Sequence, residues 1–197
     1  MHPAFSVIFL TTLIGAAQGL FLALMAGQIY SDIGVLNEAR ELDFFIDGTL
    51  IITVLMVTGL LASFFHLGRP ERAWRSATMW RTSWLSREVI ALPAFTIAVM
   101  AWGLLHYKGI NPVVFSPTDT VHISLTLVVG LIAAGLAMIL YLCTGMIYAA
   151  VKFIQEWASP LTVVNYAMLG MASGFTLATT LASYLGFEAT AFYANWA

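Results

Sequence analysis

The sequence predicts an all-α, polytopic transmembrane helical bundle. Three observations carry that prediction. The 197 residues are 60% hydrophobic and only 9% charged, against about 25% charged in a soluble domain, and the mean hydropathy is +0.89. Charge-free stretches recur at lengths that cross a bilayer core as helices, the form in which a segment satisfies its own backbone groups. Alternation of apolar and polar residues over ten-residue segments is absent, which argues against a membrane β-barrel.

Five charge-free stretches are read as spans: about 3–31, 48–65, 89–107, 120–151 and 157–187. The first could pass for a secretory signal. It lacks a basic leading region, and its apolar run exceeds what a cleavable core needs, so it reads as a retained helix. Within it Gly15 and Gly19 stand four apart, a spacing that lets helix backbones approach closely in lipid. Gln18, between them, is expected to hydrogen-bond across helices. The fourth span holds Cys143, the single cysteine. An internal disulfide is therefore impossible, an iron–sulfur cluster lacks its four thiolates, and Cys143 reads as a small packing residue. In the fifth span Gly170 and Gly174 repeat the four-residue spacing. Both glycine pairs are expected to make contacts within the chain rather than with another subunit. No soluble domain, low-complexity tract or internal repeat is visible, so residues 1–197 read as a single transmembrane domain.

Lys and Arg counts in short loops set orientation. Arg69, Arg72, Arg75, Arg81 and Arg87 lie between spans two and three, and Lys152 lies between four and five. The other side has Arg40 and Lys108. The tally of six against two places the Arg-rich loop and the N-terminus in the cytoplasm.

That loop, 66–88, concentrates chemistry between apolar neighbours. With Phe65 it reads FHLGRPERAWRSATMWRTSWLSRE and carries five of the eight Lys and Arg residues and three of the six Trp. His66 closes the second span and Glu88 opens the third, so two titratable groups share one membrane face. Gly68 permits a tight turn and Pro70 ends or kinks the helix. Trp74, Trp80 and Trp84 supply flat surfaces at interfacial depth. The combination suits a quinone, whose flat ring enters from the bilayer, whose carbonyl oxygens need donors and whose redox cycle moves two protons. His66 can donate to one oxygen and exchange a proton, since imidazole titrates near neutral pH. Glu88 can pass protons to water, and an arginine can stabilise a reduced, anionic ring. Each residue also has a plainer reading. His66 and the tryptophans suit interfacial anchors, Glu88 suits the positive end of its helix with Ser86 or Ser83 as cap, and the arginines suit topology signals. Haem is weighed on His106 and His122, which end span three and begin span four; both are flanked by loop residues, and interfacial histidine is the better reading.

The motif HLGRPERAW followed by SWLSREVI closely resembles the membrane-anchor subunits of the dimethyl sulfoxide reductase family. The opening HPAFSVIFLTTLIGAAQGLFLAL looks most like the branch associated with cytoplasmic sulfite-oxidising complexes. The resemblance covers nearly the whole chain. It implies a subunit that tethers an iron–sulfur protein and a molybdopterin catalytic subunit and exchanges electrons with the quinone pool. It places the family's quinone-site histidine on His66 and its glutamate on Glu88, with Gly68 and Arg72 on matching positions; Arg69, Arg87 and Trp84 join them from local chemistry. Family members typically lack haem. They usually have eight spans, so with five visible this sequence stops short of that C-terminus or a shortened version suffices.

The leading function is accordingly a quinone-binding electron-transfer anchor, non-catalytic alone, most concretely for sulfite oxidation. The alternatives are a polysulfide-reductase or sulfoxide-reductase type of anchor and, from another class, a small transporter. Charge-free spans count against transport, which generally uses ionisable or broken elements near the midplane. Because the chain holds no redox metal ligands, electrons must arrive from a partner's cofactor, and Arg75 and Arg81 are assigned to docking that iron–sulfur subunit. Membrane lipid is the remaining partner; no nucleic acid is expected.

Overall fold

A computed structural model describes residues 5–34, 41–65, 67, 69–118, 121–186 and 190–197. Its elements run, in order, α1 (Phe5–Asp32), α2 (Glu41–Phe64), a 3₁₀ helix (Pro70–Met79), α3 (Trp84–Lys108), β1 (Val113–Thr118), β2 (Val121–Ser124), α4 (Leu125–Ala149), α5 (Pro160–Tyr184) and α6 (Thr190–Ala194). Among the described residues, five of these helices are long and apolar enough to cross a membrane. The all-α bundle expected from composition is what forms.

The helices do not stop where charge begins. Helix α2 starts at Glu41 and so takes in Asp43 and Asp47, while α3 starts at Trp84 and takes in Arg87 and Glu88. All four lie in the first two turns, where acidic groups favour the positive end of the helix and where side chains reach the membrane boundary. The fourth window errs the other way. Its first residues form the edge of a two-stranded antiparallel hairpin, with Val113 opposite Ser124, Phe115 opposite Ile123 and Thr118 opposite Val121. The sequence VHIS is as strand-prone as it is apolar, and helix α4 begins only after Ser124, whose side chain caps it by accepting from Leu127 N–H.

Helix α1 is the axis of the bundle. It packs along both α2 and α5, and α3 packs along α4. The two glycine pairs explain the closeness of α1 and α5. A methyl group built on Gly19 would lie 2.1 Å from the Gly170 carbonyl oxygen, and one on Gly174 would lie 2.0 Å from the Gly19 carbonyl carbon. The expected small-residue contact therefore joins the first span to the fifth, backbone against backbone.

Around that crossing the core is aromatic. Phe21 of α1 meets Phe95 and Trp102 of α3 edge-on, with ring centroids 5.7 and 5.4 Å apart. The short α6 folds back to bury Tyr193 against Phe44, at 5.0 Å. A polar network ties α1, α3 and α4 beside the hairpin. Trp102 Nε1 donates to Gln28 Oε1 (2.8 Å), Gln28 Nε2 donates to Thr126 Oγ1 (2.7 Å), and Thr126 Oγ1 donates to Asn111 Oδ1 (2.8 Å). Gln18, by contrast, does not bridge helices. Its Nε2 donates to Ile14 O of its own helix and its Oε1 is buried without a partner.

A shallow groove of about 630 Å³ runs between α2 and α3, lined by Thr49, Leu50, Thr53, Ile97, Leu104 and Tyr107. Both threonine hydroxyls are bonded to carbonyls of their own helix. The groove is thus apolar, and it occupies the half of the bundle away from Glu88.

Candidate functional site

The Arg-rich connection is ordered by its own polar side chains. Ser83 takes an extended conformation (φ −108°, ψ 126°) and caps α3 by accepting from Ser86 N–H, so Ser83 is the cap of the two serines considered. The Ser86 hydroxyl instead donates to the Ser76 carbonyl, lashing the 3₁₀ helix to the first turn of α3. Ten residues is long for a 3₁₀ run, whose hydrogen-bond geometry is poor, so such outside support matters. Arg87 completes the tie. Its Nε donates to Trp80 O and its Nη2 to Arg81 O, each at 2.9 Å, and the guanidinium lies 4.2 Å from the Trp84 ring centroid.

The first turn of α3 therefore brings together Trp84, Arg87 and Glu88, all half-buried. Arg69 and Arg72 stand exposed at the start of the 3₁₀ helix, and Arg75 and Arg81 are exposed further along it and just beyond. Arg81 lies over the Trp80 ring at 5.3 Å. Trp74 and Trp80 are 69% and 54% exposed, so the loop presents cations interleaved with bare indoles. His66 and Gly68 lie outside the described residues.

Glu88 points into the bundle. Thr144 of α4 donates a short hydrogen bond to its Oε1, and Tyr148, Tyr166 and Cys143 lie within electrostatic range of the carboxyl. Tyrosines of α4 and α5 seal the neighbouring wall. Tyr141 Oη donates to Gly15 O (2.8 Å) and Tyr166 Oη to Thr11 O (3.0 Å), with the two rings edge-on at 5.7 Å. Sequence reasoning missed Thr144 and both tyrosines. A usable signal existed. Helix α3 leaves the loop face while α4 returns to it, so Glu88, four residues in, and Thr144, five residues from the end, fall at matching depths of roughly 6–8 Å.

His106 lies in the last turn of α3, at the boundary depth expected of it, with its ring turned inward. Its ring packs against Trp102 (4.4 Å) and Phe45 (4.8 Å), and Nε2 is buried without a partner. It sits at the opposite end of the bundle from Glu88. The side chain of His122 lies outside the described residues.

An all-α bundle of membrane-length helices is the fold that the sequence resemblance implied. Residues 1–194 match the family model described as the DMSO reductase anchor subunit. The chain belongs to that family. A sulfite dehydrogenase subunit from Allochromatium vinosum is 51% identical to this anchor-family chain over 197 residues, which is all of this chain and 60% of the relative. The chain thus spans about three fifths of that relative's length. No solved structure matches it.

Proposed function

We propose that this anchor-family chain binds a membrane quinone beside the Arg-rich loop and passes electrons between that quinone and an iron–sulfur subunit of a molybdopterin enzyme complex, with sulfite as the substrate oxidised. The observation that carries the reading is Glu88: a carboxyl sunk into the first turn of a membrane helix, hydrogen-bonded from Thr144, beside a turn built of Trp80, Trp84 and arginines. The donor set fits a quinone. Trp84 offers a flat wall, the exposed guanidiniums of Arg69 and Arg72 offer donors for its oxygens, and Glu88 and His66 offer groups able to exchange protons. Gly68 is assigned to the turn between them. Arg87 contributes by fixing Trp84, using two of its N–H groups on loop carbonyls and leaving others to donate.

When bound, a quinone supplies two-electron, two-proton chemistry. The chain's own part is to orient the ring against Trp84, to hold a proton at Glu88 and to keep water to one side. The charged side chains of the described spans sit in their outer turns rather than at mid-depth, which favours an anchor over a transporter. Sulfite rests on the similarity to a protein named for it and on a loop facing the cytoplasm of a bacterial inner membrane, as the six-to-two count of cations indicates. Electrons then come from a cluster held by the partner subunit, docked over Arg75 and Arg81.

The test is quinone reduction by membranes carrying the assembled complex. Replacing His66 by Ala or Glu88 by Gln should lower turnover about 10²-fold or more, the range of a lost proton-transfer group, while the catalytic subunits stay membrane-bound. Unchanged turnover in both variants would overturn the site.

A further inference from the structure

We infer that Thr144 is a positioning residue for Glu88, fixing one carboxyl oxygen so that the other exchanges the proton; the inference deepens the quinone-site reading and rests on it. The argument begins with what hydroxyls do elsewhere in this bundle. Thr12, Thr49, Thr53, Thr96, Thr179 and Thr180 each donate to the carbonyl four residues earlier in their own helix. That is the ordinary resting place for a threonine proton in an apolar helix. Thr144 departs from it, reaching from α4 to Glu88 Oε1 on α3. A donor aimed at a carboxyl makes a stronger bond than one aimed at a neutral carbonyl, and it fixes a group that otherwise rotates about its terminal torsion.

The mount is rigid. Thr144 is 1% exposed, and its β-branch restricts χ1. The next residue, Gly145, lies so close to α5 that an added methyl would be 2.9 Å from Val163 Cα. One turn earlier, Tyr141 is held by its bond to Gly15 O and is itself buried. Among the described residues Thr144 supplies the carboxyl's hydrogen bond. With Oε1 engaged, Oε2 is the oxygen that can gain or lose a proton without breaking a bond to the protein.

The experiment uses membranes with the whole complex and compares Thr144→Val, which keeps the shape and removes the donor, with Thr144→Ser, which keeps the donor. Thr144→Val should lower kcat for quinone reduction about tenfold or more, the size of one hydrogen bond to a charged group. KM should stay within about twofold, because the hydroxyl acts on Glu88 and not on bound substrate. Thr144→Ser should restore turnover, and Thr144→Val should add nothing in a Glu88→Gln background, as expected for two residues acting as one unit. Wild-type turnover in Thr144→Val, with Glu88→Gln impaired, would overturn the positioning role and leave the site reading standing. Normal turnover in Glu88→Gln would overturn both. A Thr144→Val complex that fails to assemble while Thr144→Ser assembles would assign the bond to folding and overturn the inference.

Discussion

The crossing of α1 and α5 invites the most direct perturbation, Gly174→Ala. The new methyl carbon would lie 2.0 Å from Gly19 C and 2.1 Å from Leu20 N, whereas carbon atoms pack at about 3.5–4.0 Å. The helices must therefore part by roughly 1.5 Å, and both obstructing atoms are backbone, which cannot rotate aside. A gap of that size forfeits much of the dispersion energy along the seam. The expected cost is at the upper end of overpacking penalties, about 3 kcal/mol, offset by about 1 kcal/mol from the better helix propensity of alanine. A net loss near 2 kcal/mol lowers the unfolding midpoint by about 4–8 °C in a chain of this length. Cys143 provides the assay. It is the single cysteine and only 2% exposed, so a dye that fluoresces on reacting with thiols reports thermal opening of the bundle in detergent. Gly135→Ala is the internal control, since nothing lies within 4 Å of the added methyl. If Gly174→Ala and Gly135→Ala share one midpoint, the close-packed seam is not what holds α5 in place.

Three further outcomes are expected. Gln28→Leu removes the acceptor of Trp102 Nε1, while the Thr126 hydroxyl keeps its bond to Asn111; leaving the buried indole N–H unpaired costs about 1–3 kcal/mol, readable as a lower midpoint in the same thiol assay. Reversing Arg75 and Arg81 together to Glu should release the catalytic and iron–sulfur subunits from membranes, because like charge across an interface costs several kcal/mol; retained partners with full activity would move the docking face elsewhere. With Thr78→Cys, an exposed position on the 3₁₀ helix, a membrane-impermeant thiol reagent should fail to label intact cells and succeed on inverted membranes, and the reverse pattern would invert the proposed orientation.

What was legible from residues alone divides along a physical line. Spans announced themselves because hydrophobic content is a property of a segment taken singly, and the glycine pairs announced close packing because only glycine permits it. Which helix each pair would meet was not legible, since a four-residue spacing fits any equally small partner. The charge-free criterion also could not separate strand from helix at Val121–Ser124, nor see that Asp43 and Arg87 would be helical. Gln18 and Gln28 show the limit most clearly. They are the same residue type on the same helix, yet Gln28 faces an indole N–H and a hydroxyl while Gln18 bonds to its own helix. Only the opposite wall distinguishes them. Glu88 was visible as a titratable group at the loop face, but its bond to Thr144 required a second helix at matching depth.

The seam between Gly19 and Gly174 also sets a schedule for biosynthesis. Its two sides are 155 residues apart in the chain, and synthesis proceeds at about 5–20 residues per second. For roughly 8–30 s after Gly19 is made, α1 has no fifth helix to close upon. It can wait in the bilayer at little cost, because its backbone hydrogen bonds are already satisfied within the helix and lipid tails cover its glycine face well enough. Closure of α1 against α5 is therefore a post-insertion event, and the wall of tyrosines beside Glu88, donated by α4 and α5 onto α1 carbonyls, forms only after α5 has been made.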